Sequence, residues 1–351
     1  MSEGSRGSRV SDYDYALPPE RIARYPAERR DESRLLVVPR QRGAFEHLRF
    51  RDLPELIAPG DVLVLNESRV LKARLLGQKP SGAPAEVLLL HPLSGEGGRR
   101  WAALVRPGGK LKPGRSVVVA DDLTVEIVDS TDDGGRVVEL CTPLSPEDAI
   151  ERHGHLPLPP YLEREAEALD LERYQTVYAG VPGSVAAPTA GLHFTDPLLE
   201  RVRGRGAHIA KVVLHVGVGT FRPVEEEDPS LHRMHSERWS VPEATAALLA
   251  EARSRGARIW AVGTTVARTL ETAADAQGRV VAGTGETELF IRPPFPFRVV
   301  DVLITNFHLP RSTLMMLVAA FAGFDQTHAA YAEAVGSGYR FYSYGDAMVL
   351  L

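Results

Sequence analysis

Between residues 60 and 142 the chain carries six short β-like runs and no helix pattern. They are Asp61–Leu65, Ala85–Leu90, Trp101–Val105, Ser116–Val119, Leu123–Val128 and Val137–Leu140. Glycine- and proline-rich turns separate them, such as Lys79–Gly82, Pro107–Gly109 and Lys112–Gly114. Short strands at regular spacing predict a small antiparallel barrel or sandwich. On both sides of this block strand-like and helix-like runs alternate, which predicts a sheet with helices on its faces. The expected fold is therefore an α/β main domain with a mixed sheet, plus an inserted small antiparallel β-barrel domain. The expected boundaries are a disordered leader over 1–10, an α/β domain over 11–59 and 143–351, and the barrel over 60–142.

A length of 351 residues suits two or three domains. The single cysteine, Cys141, excludes an internal disulfide and fits a reducing compartment. No apolar run approaches the roughly 20 residues of a membrane helix, and the polar start lacks the apolar core of a signal peptide. A cytoplasmic protein is expected. The net charge of −5 hides an asymmetry. Ten basic residues lie between Arg69 and Arg115, opposed only by Glu86 and Glu96. They include Arg69, Arg74, Arg106, Lys110 and Lys112. A basic patch on an acidic chain fits a docking surface for a polyanion, and equally a solvated surface.

In the α/β part, Pro18–Pro19 predicts a helix from Glu20, ended by Tyr25–Pro26. Arg34–Pro39 reads as a strand. Thr195, with Pro197 in the first turn, predicts a helix cap, followed by a strand over Ala207–Val216. Ser240 and Glu243 form a capping-box pair ahead of an alanine-rich helix closed by Gly256. A strand at Arg258–Val262 leads to a helix reaching about Ala276. Another strand, Val299–Thr305, precedes a helix capped by Ser312 and stopped by Gly323. A last helix, Gln326–Val335, precedes a closing strand at Tyr339–Ser343.

The residues that carry chemistry concentrate at the turns. Pro188, Thr189 and Gly191 lie in a segment that cannot continue a helix or a central strand. Gly217 and Gly219, followed by Thr220, would leave a bare strand face for a ligand or another backbone. His193 and His215 sit in the same unit. Val262-Gly263-Thr264-Thr265 is a strand–turn–helix whose free amides and hydroxyls suit an anion, with Arg268 one turn on. Simple capping is the plainer alternative. His235 and Glu237 would share a strand face, a pairing that raises imidazole basicity, or else a surface ion cluster. Asn306, His308 and Asp346 sit at other strand ends and turns. No histidine pair has tight metal-ligand spacing, so proton transfer or hydrogen bonding is favoured and no metal is expected.

In order along the chain, ten stretches resemble one family. They are YALPPERIARYPAERRDESRLLVV (Tyr15–Val38), GDVLVLNESRV (Gly60–Val70), VRPGGKLKPG (Val105–Gly114), GHLPLPPY (Gly154–Tyr161), YQTVYAGVPGSVAAPTAGLHFT (Tyr174–Thr195), HVGVGTFRPV (His215–Val224), MHSERW (Met234–Trp239), VGTTVARTLE (Val262–Glu271), LITNFHLPRSTLMMLVAAFAG (Leu303–Gly323) and GYRFYSYGDAM (Gly338–Met348). The ordered set resembles the S-adenosylmethionine:tRNA ribosyltransferase-isomerases of queuosine biosynthesis. Val266-Ala267 stands where that family has Ser-Val, and Asn66–Arg74 keeps its carboxylate, hydroxyl and arginines.

The resemblance implies an inserted barrel in an α/β domain and a definite reaction. The ribosyl part of S-adenosylmethionine passes to 7-aminomethyl-7-deazaguanine (preQ1) at the tRNA wobble position. It rearranges to epoxyqueuosine with release of adenine and methionine. Under that reading His193, His215, His235 or Glu237 moves the proton. Pro188, Thr189, Gly191, Gly217, Gly219, Thr220, Gly263, Thr264, Thr265 and Arg268 hold the donor. Asn306, His308 and Asp346 meet the base, and Arg69, Arg74, Arg106, Lys110 and Lys112 meet the tRNA. Expected partners are S-adenosylmethionine as ribosyl donor and preQ1-bearing tRNA, with no membrane and a monomeric enzyme. The competing classes are a histidine-liganded metal-dependent hydrolase and a non-catalytic RNA-binding module.

Overall fold

The computed structural model describes residues 6–40, 43–93, 96–131, 134–217, 224 and 226–351. Strands β1 (Arg34–Val38), β2 (Glu46–Arg49) and β3 (Val62–Asn66) begin the main sheet, and β4 (Ser68–Val70) leads out of it. The barrel follows as β5 (Arg74–Gln78), β6 (Pro84–Pro92), β7 (Arg100–Arg106), β8 (Ser116–Ala120), β9 (Leu123–Ser130) and β10 (Arg136–Cys141). The chain returns through α1 (Pro146–His153), β11 (Gly154–His155), α2 (Ala168–Arg173) and β12 (Val181–Ser184). Next come α3 (Asp196–Gly204), β13 (His208–Leu214), β14 (Glu237–Val241), α4 (Glu243–Ser254), β15 (Ile259–Val262) and α5 (Thr264–Thr272). The last elements are β16 (Gly283–Thr287), β17 (Val302–Asn306), α6 (Thr313–Ala322), α7 (Phe324–Gly336) and β18 (Ala347–Leu350).

The main sheet has the order β16-β14-β13-β3-β15-β17-β18-β1-β2. Its centre, β13-β3-β15-β17, is parallel, while β14, β16 and β18 join antiparallel, so the sheet is mixed as expected. Strand β3 is buried throughout. Val62 and Val64 enter a core with α5 and α6, and Leu63 and Leu65 enter one on the opposite face with α3. A strand covered on both faces needs a continuous apolar run, which is what the sequence supplies here. In the barrel, β5-β6-β7-β10-β9-β8 closes where Gln78 meets Val118. At Gly77 a Cβ would lie 2.4 Å from the Val118 carbonyl oxygen, so glycine permits that closure.

Several expectations shift. Val62–Asn66, expected at the start of the barrel, is the middle of the main sheet, and the barrel proper begins at Arg74. A run buried on both faces does not fit a barrel strand with one solvated side. The expected disordered leader does not extend to residue 10: Val10 is fully buried and donates its N–H to the Glu227 carbonyl; residues 1–5 lie outside the described residues. The helix expected from Glu20 is a single 3-10 turn, Pro19–Arg21, because Ile22 bridges to Phe341 instead. Ser240 is not a cap: it pairs within β14, and Pro242 takes the N-cap position. The closing strand is Ala347–Leu350, not Tyr339–Ser343. Tyr342 has φ 72°, and a Cβ at Gly345 would lie 2.5 Å from the Arg340 carbonyl oxygen, so the chain folds back sharply there. The caps at Thr195 and Ser312 form as expected, on the amides of Leu198 and Met315.

Candidate active site

The carboxyl ends of the four parallel strands bring together Asn66, Leu214, Val262 and Asn306. Ligands of open α/β sheets bind outside such ends. Gly263, with φ 94°, turns β15 into α5, and its N–H bonds to the Ile304 carbonyl of β17. The helix begins with no side-chain cap, which leaves its first amides available to an anion. Beside it lies a cavity of about 60 Å³ lined by Pro188, Thr189, Gly263, Thr264, Thr265, Asn306 and His308. Tyr161 and Tyr342, stacked 4.5 Å apart, complete one wall. Among the described residues, no Asp, Glu, Lys or Arg lines this cavity.

A second cavity, about 450 Å³, lies between the barrel and the main domain. The barrel contributes Leu90, Ala102, Leu104 and Arg136, and the main domain contributes His215, Gly217, His235, Glu237 and Arg238. Val216 lines both cavities, so they adjoin. Gly219 and Thr220 lie outside the described residues.

The four histidines sort by environment. His193 is buried with both ring nitrogens engaged, Nδ1 with Ser33 Oγ at 2.7 Å and Nε2 with Asn306 Nδ2 at 3.1 Å. It stacks on Phe50, and burial, reinforced by Arg30 and Arg340, pushes it down to about 3. His308 is also buried, bonded through Nε2 to Thr305 Oγ1 at 2.7 Å, and burial pushes it down to about 3. His193 has both nitrogens engaged within the fold, whereas His308 lines the smaller cavity. His235 is exposed on the cleft rim. His215 lines the cleft, and its buried Nδ1 has no hydrogen-bond partner. Burial, then Arg238, holds it below the ordinary imidazole value, so it is neutral at pH 7. Its ring rests on Gly183, where a Cβ would meet Cε1 at 2.5 Å and Nδ1 at 2.6 Å.

The expected His235–Glu237 pair is replaced by another. Glu237 is buried, ion-paired with Arg268, and its Oε1 accepts the Gly217 N–H at 3.0 Å. Arg268 therefore faces Glu237 and the Leu289 carbonyl rather than the uncharged cavity, because a buried guanidinium requires a counter-ion. Gly191 packs on Tyr178, whose hydroxyl would lie 2.1 Å from a Cβ there. Asp346 accepts the N–H groups of Arg34 and Arg340, both at 2.8 Å, and braces the tight turn. Neither Gly191 nor Asp346 lines a cavity.

The basic block divides the same way. Arg74 is taken up by Glu86 and Glu165, at 3.2 and 2.6 Å, which leaves no fork for a phosphate. Lys72 pairs with Glu151, Arg100 with Glu139, and Arg99 donates to three carbonyls. Lys110 and Lys112 are exposed on a concave face with Lys79 and Arg115. Arg69 and Arg106 are exposed as well. Arg136 holds this face in shape through the carbonyls of Gly108 and Leu111, both at 2.8 Å.

Several contributors escaped the sequence reading. Asn66 forks onto the Leu214 N–H and C=O, at 3.1 and 2.9 Å, and so ties the ends of β3 and β13. Ser184 accepts the Val216 N–H at 3.0 Å and donates to Ser68 at 2.9 Å, which fixes His215–Val216 to the strand leading into the barrel. Tyr161, Tyr342 and Ser33 were not singled out either. The motif GHLPLPPY contains Tyr161, but nothing local marks it as a wall. Among the described residues, no group of three or more His, Cys, Asp or Glu is placed to hold a metal ion, and no helix is long and apolar enough to cross a membrane.

Residues 10–350 match the family described as queuosine biosynthesis protein. The chain is 54% identical over 345 residues to the S-adenosylmethionine:tRNA ribosyltransferase-isomerase of Symbiobacterium thermophilum, covering 98% of this chain and 100% of that protein. It is 52% identical over 347 residues to the enzyme of the same name from Thermotoga maritima, covering 98% and 100%. The crystal structure of an S-adenosylmethionine tRNA ribosyltransferase from Thermotoga maritima superimposes with a TM-score of 0.56 at 42% identity, over 97% of this chain and 99% of that one.

Proposed function

We propose a division of labour for a chain that belongs to the queuosine biosynthesis protein family and carries the S-adenosylmethionine:tRNA ribosyltransferase-isomerase activity. The acceptor is preQ1 at the wobble position and the product is epoxyqueuosine, with adenine and methionine released. The observation that carries the assignment is the adjacency of two unlike cavities at the carboxyl ends of the parallel strands. The uncharged one suits the methionyl end of the donor. Its carboxylate lies against the uncapped start of α5 at Gly263, Thr264 and Thr265. The larger cleft suits the ribosyl group and the incoming base, with the barrel as its far wall.

His215 is the proton acceptor in this account. The carbon beside the sulfonium is acidified by the positive charge, and a neutral imidazole lining the cleft removes its proton. The carbanion-like centre then expels adenine, which takes up a proton; the acceptor amine adds to the opened ribose and loses a proton, and closure of the epoxide breaks the carbon–sulfur bond and frees methionine. Glu237 and Arg268 keep the cleft floor rigid through Gly217. The exposed Lys110, Lys112 and Arg115, with the half-buried Lys79, contact tRNA phosphates, which position the anticodon arm without reading sequence. The wobble base enters the cleft unstacked.

The test is incubation with S-adenosylmethionine and preQ1-containing tRNA, followed by mass measurement of the digested nucleosides. Conversion of preQ1 to epoxyqueuosine with stoichiometric adenine is expected. RNA binding without donor consumption would leave only a binding module.

A further inference from the structure

The uncharged cavity has an acceptor with no partner. Asn306 is 2% exposed, and its Nδ2 is held by the Tyr342 carbonyl at 3.1 Å, the Asp346 carbonyl at 3.4 Å and His193 Nε2 at 3.1 Å. Two of those three are carbonyl oxygens, so the amide cannot flip without facing oxygen to oxygen. Oδ1 is thereby turned away from them and is buried with no hydrogen-bond partner, on a side chain that lines the cavity. An orphaned buried acceptor is costly and calls for a donor from elsewhere. Next to it, Gly263 on β15 is hydrogen-bonded to β17 at Ile304, and α5 starts there without a cap.

We infer that this cavity is an α-amino-acid subsite, in which Asn306 Oδ1 accepts from the ammonium group of the donor's methionyl moiety while the start of α5 takes its carboxylate. The inference rests on the proposed placement of the donor. A lone anion would be met by a Lys or Arg and a lone cation by an Asp or Glu, and among the described residues the lining has none of these. A zwitterion brings both charges and needs only dipoles of both signs. Size agrees: the cavity, about 60 Å³, is much smaller than the neighbouring cleft of about 450 Å³, which suits a small polar head in the one and the larger groups in the other. Tyr161 and Tyr342 add aromatic faces toward a cation.

His193 then has a defined task that is not proton transfer. Its Nδ1–H is directed at Ser33 Oγ, which leaves Nε2 as an acceptor for Asn306. Ser33, His193 and Asn306 form a chain that fixes which face of the amide meets the ligand. His193 is a positioning residue.

Calorimetry with three probes tests this. S-adenosyl-L-homocysteine carries the whole amino-acid head, its deaminated analogue only the carboxylate, and 5′-methylthioadenosine neither. Wild type should bind the first at least tenfold more tightly than the second. Asn306→Ala and His193→Gln should each cut that ratio to within about threefold while binding 5′-methylthioadenosine like wild type. His193→Gln should also retain the pH dependence of adenine release. Equal binding of S-adenosyl-L-homocysteine and the deaminated analogue by wild type overturns the ammonium subsite alone. So does a parallel loss of 5′-methylthioadenosine in both variants. Loss of the pH dependence in His193→Gln overturns the positioning role. If none of the probes binds wild type, the placement of the donor falls and the subsite with it.

Discussion

The two ends of the main sheet treat polar groups in opposite ways. At the amino ends of β3 and β15, Asp61 is saturated. It accepts the N–H groups of Ala58 and Arg258 at 3.1 and 2.9 Å, the Arg258 guanidinium at 2.8 Å and the Trp260 indole at 2.8 Å. Burial pushes its carboxyl up, and those hydrogen bonds more than reverse the effect, so it stays below the ordinary carboxylate range. At the carboxyl ends, Asn306 Oδ1 and His215 Nδ1 are both buried without partners. The same sheet has thus completed its hydrogen bonding at one end and left it incomplete at the other. Saturation marks structure, and the orphaned groups mark where a ligand is expected.

That contrast can be broken in three ways. The largest effect is expected at the saturated end. Asp61→Ala strips a buried carboxylate from Arg258 and Trp260, and should lower unfolding stability by about 3 kcal/mol in denaturant titration with little change in donor affinity. A variant that loses donor binding at full stability would erase the distinction. Next, Gly183→Ala drives a Cβ into the His215 ring at a backbone φ of 143°, and should slow adenine release by roughly 100-fold and lower the midpoint of thermal unfolding as well. Wild-type turnover would mean that the ring has no fixed place in the reaction. The smallest effect belongs to the barrel. Lys110→Ala with Lys112→Ala should weaken tRNA binding about tenfold and lower the log–log salt slope by roughly 1.5–2. An unchanged slope would remove this face from the tRNA contact.

The layout was legible because it rests on local pattern. The buried strands β3, β15 and β17 announce themselves as apolar runs, and Thr195, Ser312 and Gly323 mark helix ends in the residues themselves. The domain boundary was misplaced because β3 and the first barrel strand are both short apolar runs, and only burial on both faces tells them apart. The site was legible as a set of positions but not as roles. His193 and His215 look alike in sequence. One is locked between Ser33 and Asn306, partners 160 and 113 positions away, and the other is seated on the bare backbone of Gly183. Arg268 read as an anion ligand because its helix position was visible and its distant partner, Glu237, was not. Tyr342 could not be found at all, since nothing in a tyrosine foretells a positive φ.

The central claim is that His215, neutral and lining the cleft, takes the proton. Adenine release measured against pH at saturating donor and tRNA, in wild type and in His215→Gln, tests it most directly. A base must be unprotonated, and this imidazole titrates below its usual 6.5. The wild-type rate should therefore hold through pH 7 and fall as pH drops below that value. The variant should run at least 100-fold slower and lack the fall. A variant that keeps a near-wild-type rate with the same acid limb would contradict the assignment.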